Sequence, residues 1–525
     1  MINVVARSTY LRACLNPSRS FVKKSMLLNR ASFHSAIGAV AIPKLSDPSL
    51  LRHRAFVNNE WVSGNTSDVF AVHDPATSKE IGLLPDMGTE ETRDAIQHAS
   101  KAFQEWSQTT GKTRHDLLKK WYDAVMENQE DLATILTWEN GKTIGEARGE
   151  IAYGATFFEW FAEEAVRTYG TVIPSHMPSQ RFVTIKQPVG VVGIVTPWNF
   201  PTAMITRKVG AALAAGCTVV IKPGAETPYS ALALCELAQR VGIPAGVVNV
   251  VTTHKHVADV GKELCLNPTI KKISFTGSTQ VGKLLMSQAS STMKKVSMEL
   301  GGNAAFIVFD DADIDAAVEG ALASKYRGTG QTCVCANRIF VQKGVYDKFA
   351  HRLAEKVREF KVGHGFSIET THGPMINEKA TEKVKHHIED ALSKGAKLLV
   401  GGKHLGGSFF EPTVLTGMTK DMAVSDEETF GPIAALYEFD TEEEVIQAAN
   451  DTPFGLAGYF FSRDIGRVWR VAEKLETGMV GVNSGIISNC YAPFGGVKES
   501  GVGREGSLHG IDDYMNIKYI NMGGI

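Results

Sequence analysis

The chain lacks most of the features that would assign it to a specialised class. It has no run of about 18 apolar residues, the length a helix needs to cross a bilayer, so no segment is placed across a membrane. A formal net charge of −2 over 525 residues argues against a nucleic-acid partner. Seven cysteines (Cys14, Cys217, Cys235, Cys265, Cys333, Cys335 and Cys490) are too few and too scattered for a disulfide scaffold. No CxxC pair and no HExxH occurs, so no metal site is expected. Three short matches fail for want of a residue or of context. Too little chain follows Gly501–Gly506 (GVGREG) for a dinucleotide βαβ unit, and Leu284 replaces the hydroxyl that a P-loop at Gly277 would need. Ala316 and Leu322 stand where a calcium loop opening at Asp310 needs Gly and Glu.

One absence is local. Between Met1 and Ser46 there is no Asp or Glu, while Arg7, Arg12, Arg19, Lys23, Lys24, Arg30 and Lys44 lie among serines and alanines. That is the composition of a mitochondrial transit peptide, with cleavage expected between Arg30 and Ala41 and a matrix location; a disordered basic tail is the alternative.

What remains is 43% hydrophobic and 21% charged, enough for two or three domains with substantial cores. AFVNNEWV predicts a short strand with an Asn-Asn turn. Ile96, Ala99, Phe103 and Trp106 recur at helical spacing, as do Leu117, Leu118, Trp121, Tyr122 and Val125, and both sets are read as core. From Val189 the pattern becomes strand, loop, helix, repeated: Gly190–Val195, Cys217–Ile221, Val247–Val251 and Ile273–Phe275 read as buried parallel strands. This predicts a doubly wound α/β domain, whose ligands sit at the carboxyl ends of the strands. There stand Asn199, Lys222 and Gly277-Ser278. A lysine can hold a ribose or phosphate, and a helix opening after Gly277 suits a pyrophosphate; each taken singly could equally be a cap or turn.

In KYRGTGQTCVCAN, Cys333 is the candidate nucleophile, on a loop marked by Gly328 and Gly330, with its own N–H in reach of an oxygen gaining charge. A small buried hydrophobe is the alternative. Glu299, between Met298 and Leu300 and before two glycines, reads as a carboxylate tuned by apolar surroundings for general-base work, or as a strand-end glutamate in a salt bridge.

PWNFP with Asn199, KPGAETP with Lys222, FTGST, MELGGN with Glu299, GQTCVCANR with Cys333 and ETFGP with Glu428 together resemble the aldehyde dehydrogenase superfamily from about residue 55 onward. MITRKVG with Arg207, Arg327, Cys335 and GIISNCYAPFGG with Ser488 are most similar to its succinate-semialdehyde dehydrogenases.

The resemblance implies two Rossmann-like α/β domains with a β oligomerisation arm. The cofactor domain would comprise 47–169 and 189–301, the arm 170–188 and 505–525, and the catalytic domain 302–504. It implies attack by Cys333, an oxyanion held by Asn199 and the Cys333 N–H, and a thioester hydrolysed by water that Glu299 activates. It also implies a dinucleotide held by Trp198, Lys222, Ala225, Gly277, Ser278, Leu300 and Glu428. Many NAD-preferring members carry a glutamate where this chain has Ala225, so NADP should be accepted, with dual NADP and NAD use; Glu226 next door opposes a 2′-phosphate.

Arg207 and Arg327 would clamp a distal carboxylate, with Ser488 adding a hydroxyl, so the substrate is a short semialdehyde acid. The alternative is that one arginine pairs with a protein carboxylate. The implied reaction is oxidation of succinate semialdehyde to succinate, as in 4-aminobutyrate degradation. Another aldehyde such as glutarate semialdehyde is the alternative, and a catalytically silent paralogue or a cysteine hydrolase are readings from other classes. Cys335 could join Cys333 in a redox-switch disulfide or be a packing cysteine that faces the other way. The strand MNIKYINM offers an edge to a second subunit, predicting a homodimer or tetramer.

Overall fold

The computed structural model describes residue 33 and residues 35–525. Residues 1–32 and 34 of the expected transit segment, Arg30 included, lie outside the described residues. The chain divides into two units, 1–40 and 41–525; in the first, residues 35–38 are helical.

In the second unit, runs of branched apolar residues form the centres of two sheets. The first sheet has the order Glu60–Val62, Ala55–Val57, Val248–Val250, Thr218–Lys222, Val191–Val195, Ile270–Thr276, Lys295–Glu299, Gly501–Val502. Its five central strands are parallel, and almost every residue in them is buried because helices cover both faces. Ala55–Val57 and Glu60–Val62 form a hairpin whose turn residues, Asn58 and Asn59, both have φ near +57° as a type I′ turn requires (55° and 59°).

Helix Thr89–Trp106 buries Ala95, Ile96, Ala99 and Trp106, and helix Gly111–Glu127 buries Leu118, Trp121 and Val125. Trp121 stacks on Phe158 with ring centroids 4.1 Å apart, so these aromatics are core, as their spacing predicts.

The second sheet has the order Lys397–Val400, Thr413–Thr416, Ile433–Phe439, Ala336–Gln342, Ala304–Val308, Ala457–Phe461, Met479–Val482. All neighbours are parallel except the first pair. Asp313 caps helix Ile314–Tyr326 by accepting from Ala316 N, which accounts for the acidic run there.

A third, antiparallel sheet joins Val172–Ile173, Gln180–Pro188 and Met515–Gly523. It leaves Val172, Ile517 and Tyr519 exposed.

The C-terminal residues divide differently from the expected boundaries. Gly501–Val502, within the expected catalytic segment, pairs with Met298–Glu299 in the first sheet. Glu505 and Tyr514, within the expected arm, are buried, Tyr514 in the core of the first sheet. Such pairings join residues far apart in the chain, and local pattern does not encode them. No helix of the described residues is long and apolar enough to cross a membrane.

Candidate active site

In the first sheet the chain runs from Val191–Val195 outward through Thr218–Lys222 to Val248–Val250, then crosses back to Ile270–Thr276 on the other side. That reversal opens a crevice at the carboxyl ends of the strands. Register sets Val195 opposite both Lys222 and Phe275, and Thr276 opposite Glu299. Lys222 is buried, and desolvation lowers its ammonium pKa to about 8 against the pull of Glu226. The hydroxyls of Thr196 and Thr276, at neighbouring strand ends, are buried with no hydrogen-bond partner among the described residues. Ser278 precedes helix Thr279–Ala289 in extended conformation, and its hydroxyl makes no capping bond. A buried ammonium, two orphaned hydroxyls and an uncapped helix start fit the ribose and phosphates of a dinucleotide.

Gly277 N donates to Glu299 O at 3.1 Å. Ala225 and Glu226 line a cavity of about 460 Å³. Leu300 turns its side chain into the core over Gly282, so only its backbone can meet a ligand. Trp198 packs edge-on against Phe430 at 5.6 Å. Glu428 accepts from Gly302 N at 3.2 Å; desolvation, with Glu299 nearby, raises its carboxyl to about 7.

The nucleophile loop is a tightly held turn. Gly328 and Gly330 have φ of 58° and 75°, and a Cβ on Gly330 would lie 2.2 Å from the Gly431 carbonyl oxygen. Gly328 N donates to Glu146 Oε1 at 2.7 Å, and Gln331 Oε1 accepts from Ile376 N at 2.9 Å. Buried Asn199 donates Nδ2 to Gln331 O at 3.1 Å, which sets its amide beside the loop. Cys333 is half-buried; desolvation, then the neighbouring Glu299 carboxylate, raise its thiol well above the ordinary range. Cys335 N donates to Thr332 O at 3.0 Å, so the two cysteines lie in a turn, and the strand begins only at Ala336. The Cys335 thiol donates to Lys325 O at 3.5 Å.

Glu299 stands at a strand end in a salt bridge, the alternative to the apolar setting its sequence neighbours suggest. Its Oε2 accepts from Arg207 Nη2 at 2.7 Å, and its Oε1 has no donor among the described residues. Arg207, expected as a free clamp, is likewise neutralised: its side chain is 1% exposed and ion-paired with both Glu299 and Glu505. Glu505 also pairs with Lys208, wholly buried on the same helix, Ala203–Ala215. The helix carrying both cations is fixed by Glu150, whose Oε1 accepts from Thr202 N at 3.0 Å while its Oε2 meets Lys142 Nζ at 2.5 Å.

Beside the loop lies a cavity of about 290 Å³ lined by Arg327, Ser488, Tyr153, Phe200, Lys142 and Glu150, among others. Arg327 lies 5.5 Å from the Phe200 ring centroid. No carboxylate among the described residues reaches it within ion-pair distance, in contrast to Arg207. Sequence reasoning missed Glu146, Glu150 and Tyr153, although their spacing of four and three puts them on one face of helix Ile144–Ala165. It missed Lys208 and Glu505 because they stand 297 residues apart. No group of His, Cys, Asp and Glu among the described residues could hold a metal ion.

A family model described as the aldehyde dehydrogenase family matches residues 61–520. The glutarate-semialdehyde dehydrogenase of Pseudomonas putida is 58% identical over 91% of this chain and 99% of that protein. The mitochondrial succinate-semialdehyde dehydrogenase of Homo sapiens is 53% identical over 91% of this chain and 90% of its own length. The crystal structure of an NADP-dependent enzyme of E. coli superposes with a TM-score of 0.90 at 55% identity, covering 91% of this chain and 100% of that one.

Proposed function

The chain belongs to the aldehyde dehydrogenase family, and from that premise we propose that it oxidises succinate semialdehyde to succinate with NADP or NAD. The observation that carries the substrate is the unpaired Arg327 guanidinium, which with Ser488 lines the cavity beside the loop that bears Cys333. A neutral aldehyde would leave that charge without a partner, whereas a distal carboxylate matches it bidentately. The Pseudomonas putida relative favours glutarate semialdehyde, one methylene longer, as a second reading.

Cys333 Sγ attacks the aldehyde carbon, and Glu299, the carboxylate beside it, takes the thiol proton and passes it to water. The amide of Asn199 and the N–H of Cys333 hold the oxygen that gains charge. An oxidised nicotinamide dinucleotide, when bound, supplies the two-electron acceptor that turns the Cys333 adduct into a thioester. Glu299 then draws a proton from the water that hydrolyses it. Lys222, Ser278 and the Gly277 turn hold the adenosine side of the dinucleotide, and Glu428 holds the nicotinamide ribose. Ala225 leaves room for a 2′-phosphate that Glu226 opposes, so both dinucleotides are used.

The acid-free segment 1–46 and the mitochondrial relative support import into the matrix. The exposed arm supports a dimer or tetramer. Cys335 reaches Cys333 as a disulfide on oxidation once it leaves the Lys325 carbonyl; peptide mass spectrometry after peroxide treatment reads the crosslink, and its absence discards the switch.

Steady-state rates with succinate semialdehyde, glutarate semialdehyde and butyraldehyde, each with NADP and NAD, test the reading. A large kcat/KM advantage for one semialdehyde over butyraldehyde supports it. Equal rates leave a general aldehyde dehydrogenase.

A further inference from the structure

We propose that Arg207 locks the base Glu299, and that the distal carboxylate of the substrate opens the lock. This rests on the semialdehyde reading above and adds the step at which the acid group acts.

Arg207 holds two carboxylates, and it holds them unequally. Glu505 is gripped by Arg207 and also by Lys208. Glu299 has Arg207 alone, on Oε2, with no donor on Oε1. On its other side Arg207 stacks 4.6 Å from the Phe494 ring centroid and meets Tyr153, whose side chain lines the cavity with Arg327 and Ser488. A substrate carboxylate seated on Arg327 and Ser488 comes up against Tyr153, the side chain between the cavity and Arg207, and through that contact becomes a third anion competing for the same guanidinium. The least-held carboxylate, Glu299, is the one displaced.

In the locked position Glu299 remains beside the Cys333 thiol, so acylation proceeds for any aldehyde that fits. Hydrolysis requires more than contact with solvent: Glu299 must reach the one water that faces the thioester carbon. Its carboxylate takes one proton from that water as the oxygen bonds to the thioester carbon. The carbon–sulfur bond then breaks, and the Cys333 thiolate leaves and recovers a proton from Glu299. The second proton of the water departs with the new carboxyl. Acid-bearing aldehydes therefore complete the cycle, whereas neutral ones stall as the thioester.

The test uses the intact wild-type protein. Butyraldehyde should give a burst of about one reduced dinucleotide per site, then a slow steady state, and acid-quench mass spectrometry should find the butyryl group on Cys333. Succinate semialdehyde should give no burst. Acetate added to acetaldehyde should supply the missing carboxylate and raise the steady-state rate roughly 5- to 150-fold, the usual range for coupling between two bound groups. In Arg207→Gln the butyraldehyde burst should vanish, because Glu299 is no longer held. If the semialdehyde is oxidised no better than butyraldehyde, the proposal loses its premise. If it is preferred, yet butyraldehyde shows no burst and acetate does not accelerate acetaldehyde, the lock alone is overturned.

Discussion

Arg327→Ala should raise KM for succinate semialdehyde and leave butyraldehyde nearly unchanged. A hydrogen bond to a charged group contributes roughly 1.5–3 kcal/mol, so the loss in kcat/KM is about ten- to a hundredfold, read in parallel assays of the two aldehydes. Glu428 makes a pH prediction whose sign follows from burial. A carboxyl raised to about 7 is ionised above that pH and protonated below it. Only the ionised form accepts from both ribose hydroxyls, so KM for the dinucleotide should rise as pH falls through 7. In Glu428→Gln that dependence should flatten, as titration of dinucleotide binding by fluorescence would show. At this scale the sequence singles out Cys333, Asn199, Glu299 and Lys222 as candidates, because each stands in a motif near glycine or proline. It hid the partners of Glu299. Met298 and Leu300 flank it in sequence, yet Arg207 reaches it from 92 residues away, and nothing local announces a cation there.

At the scale of elements, the nucleophile loop depends on close approach of two backbones. Gly330→Ala would set a methyl on the Gly431 carbonyl at a φ of 75°, so the turn must open. The expected cost is about 1–3 kcal/mol of stability, with a loss of turnover larger than stability alone explains, because Asn199 is bonded to that loop through Gln331. Thermal melts beside kcat would separate the two effects. The central strands and the long helices were legible because buried parallel strands are continuous apolar runs and half-buried helices repeat every three to four residues. The two-residue strand Gly501–Val502 was not, since two residues carry no period.

At the scale of the molecule, the three-stranded arm presents Ile173, Ile517 and Tyr519 on one face to solvent, an apolar patch rare on a lone subunit. Charging it in Ile517→Lys with Tyr519→Glu should lower the mass found by light scattering toward one chain. The circular-dichroism spectrum should stay unchanged, because neither side chain is buried in its own subunit. The pairing of Gly501–Val502 with Met298–Glu299 bears on how the chain comes to exist at all. The strand that ends in Glu299 waits for its outer neighbour until nearly the whole polypeptide has been made. Synthesis therefore delivers the closing piece of the first sheet almost last, and a ribosome-bound chain stopped before residue 501 holds that edge open. Pairing residues about 200 positions apart adds a long-range contact that forms late, so closure of this edge should be among the last steps of folding.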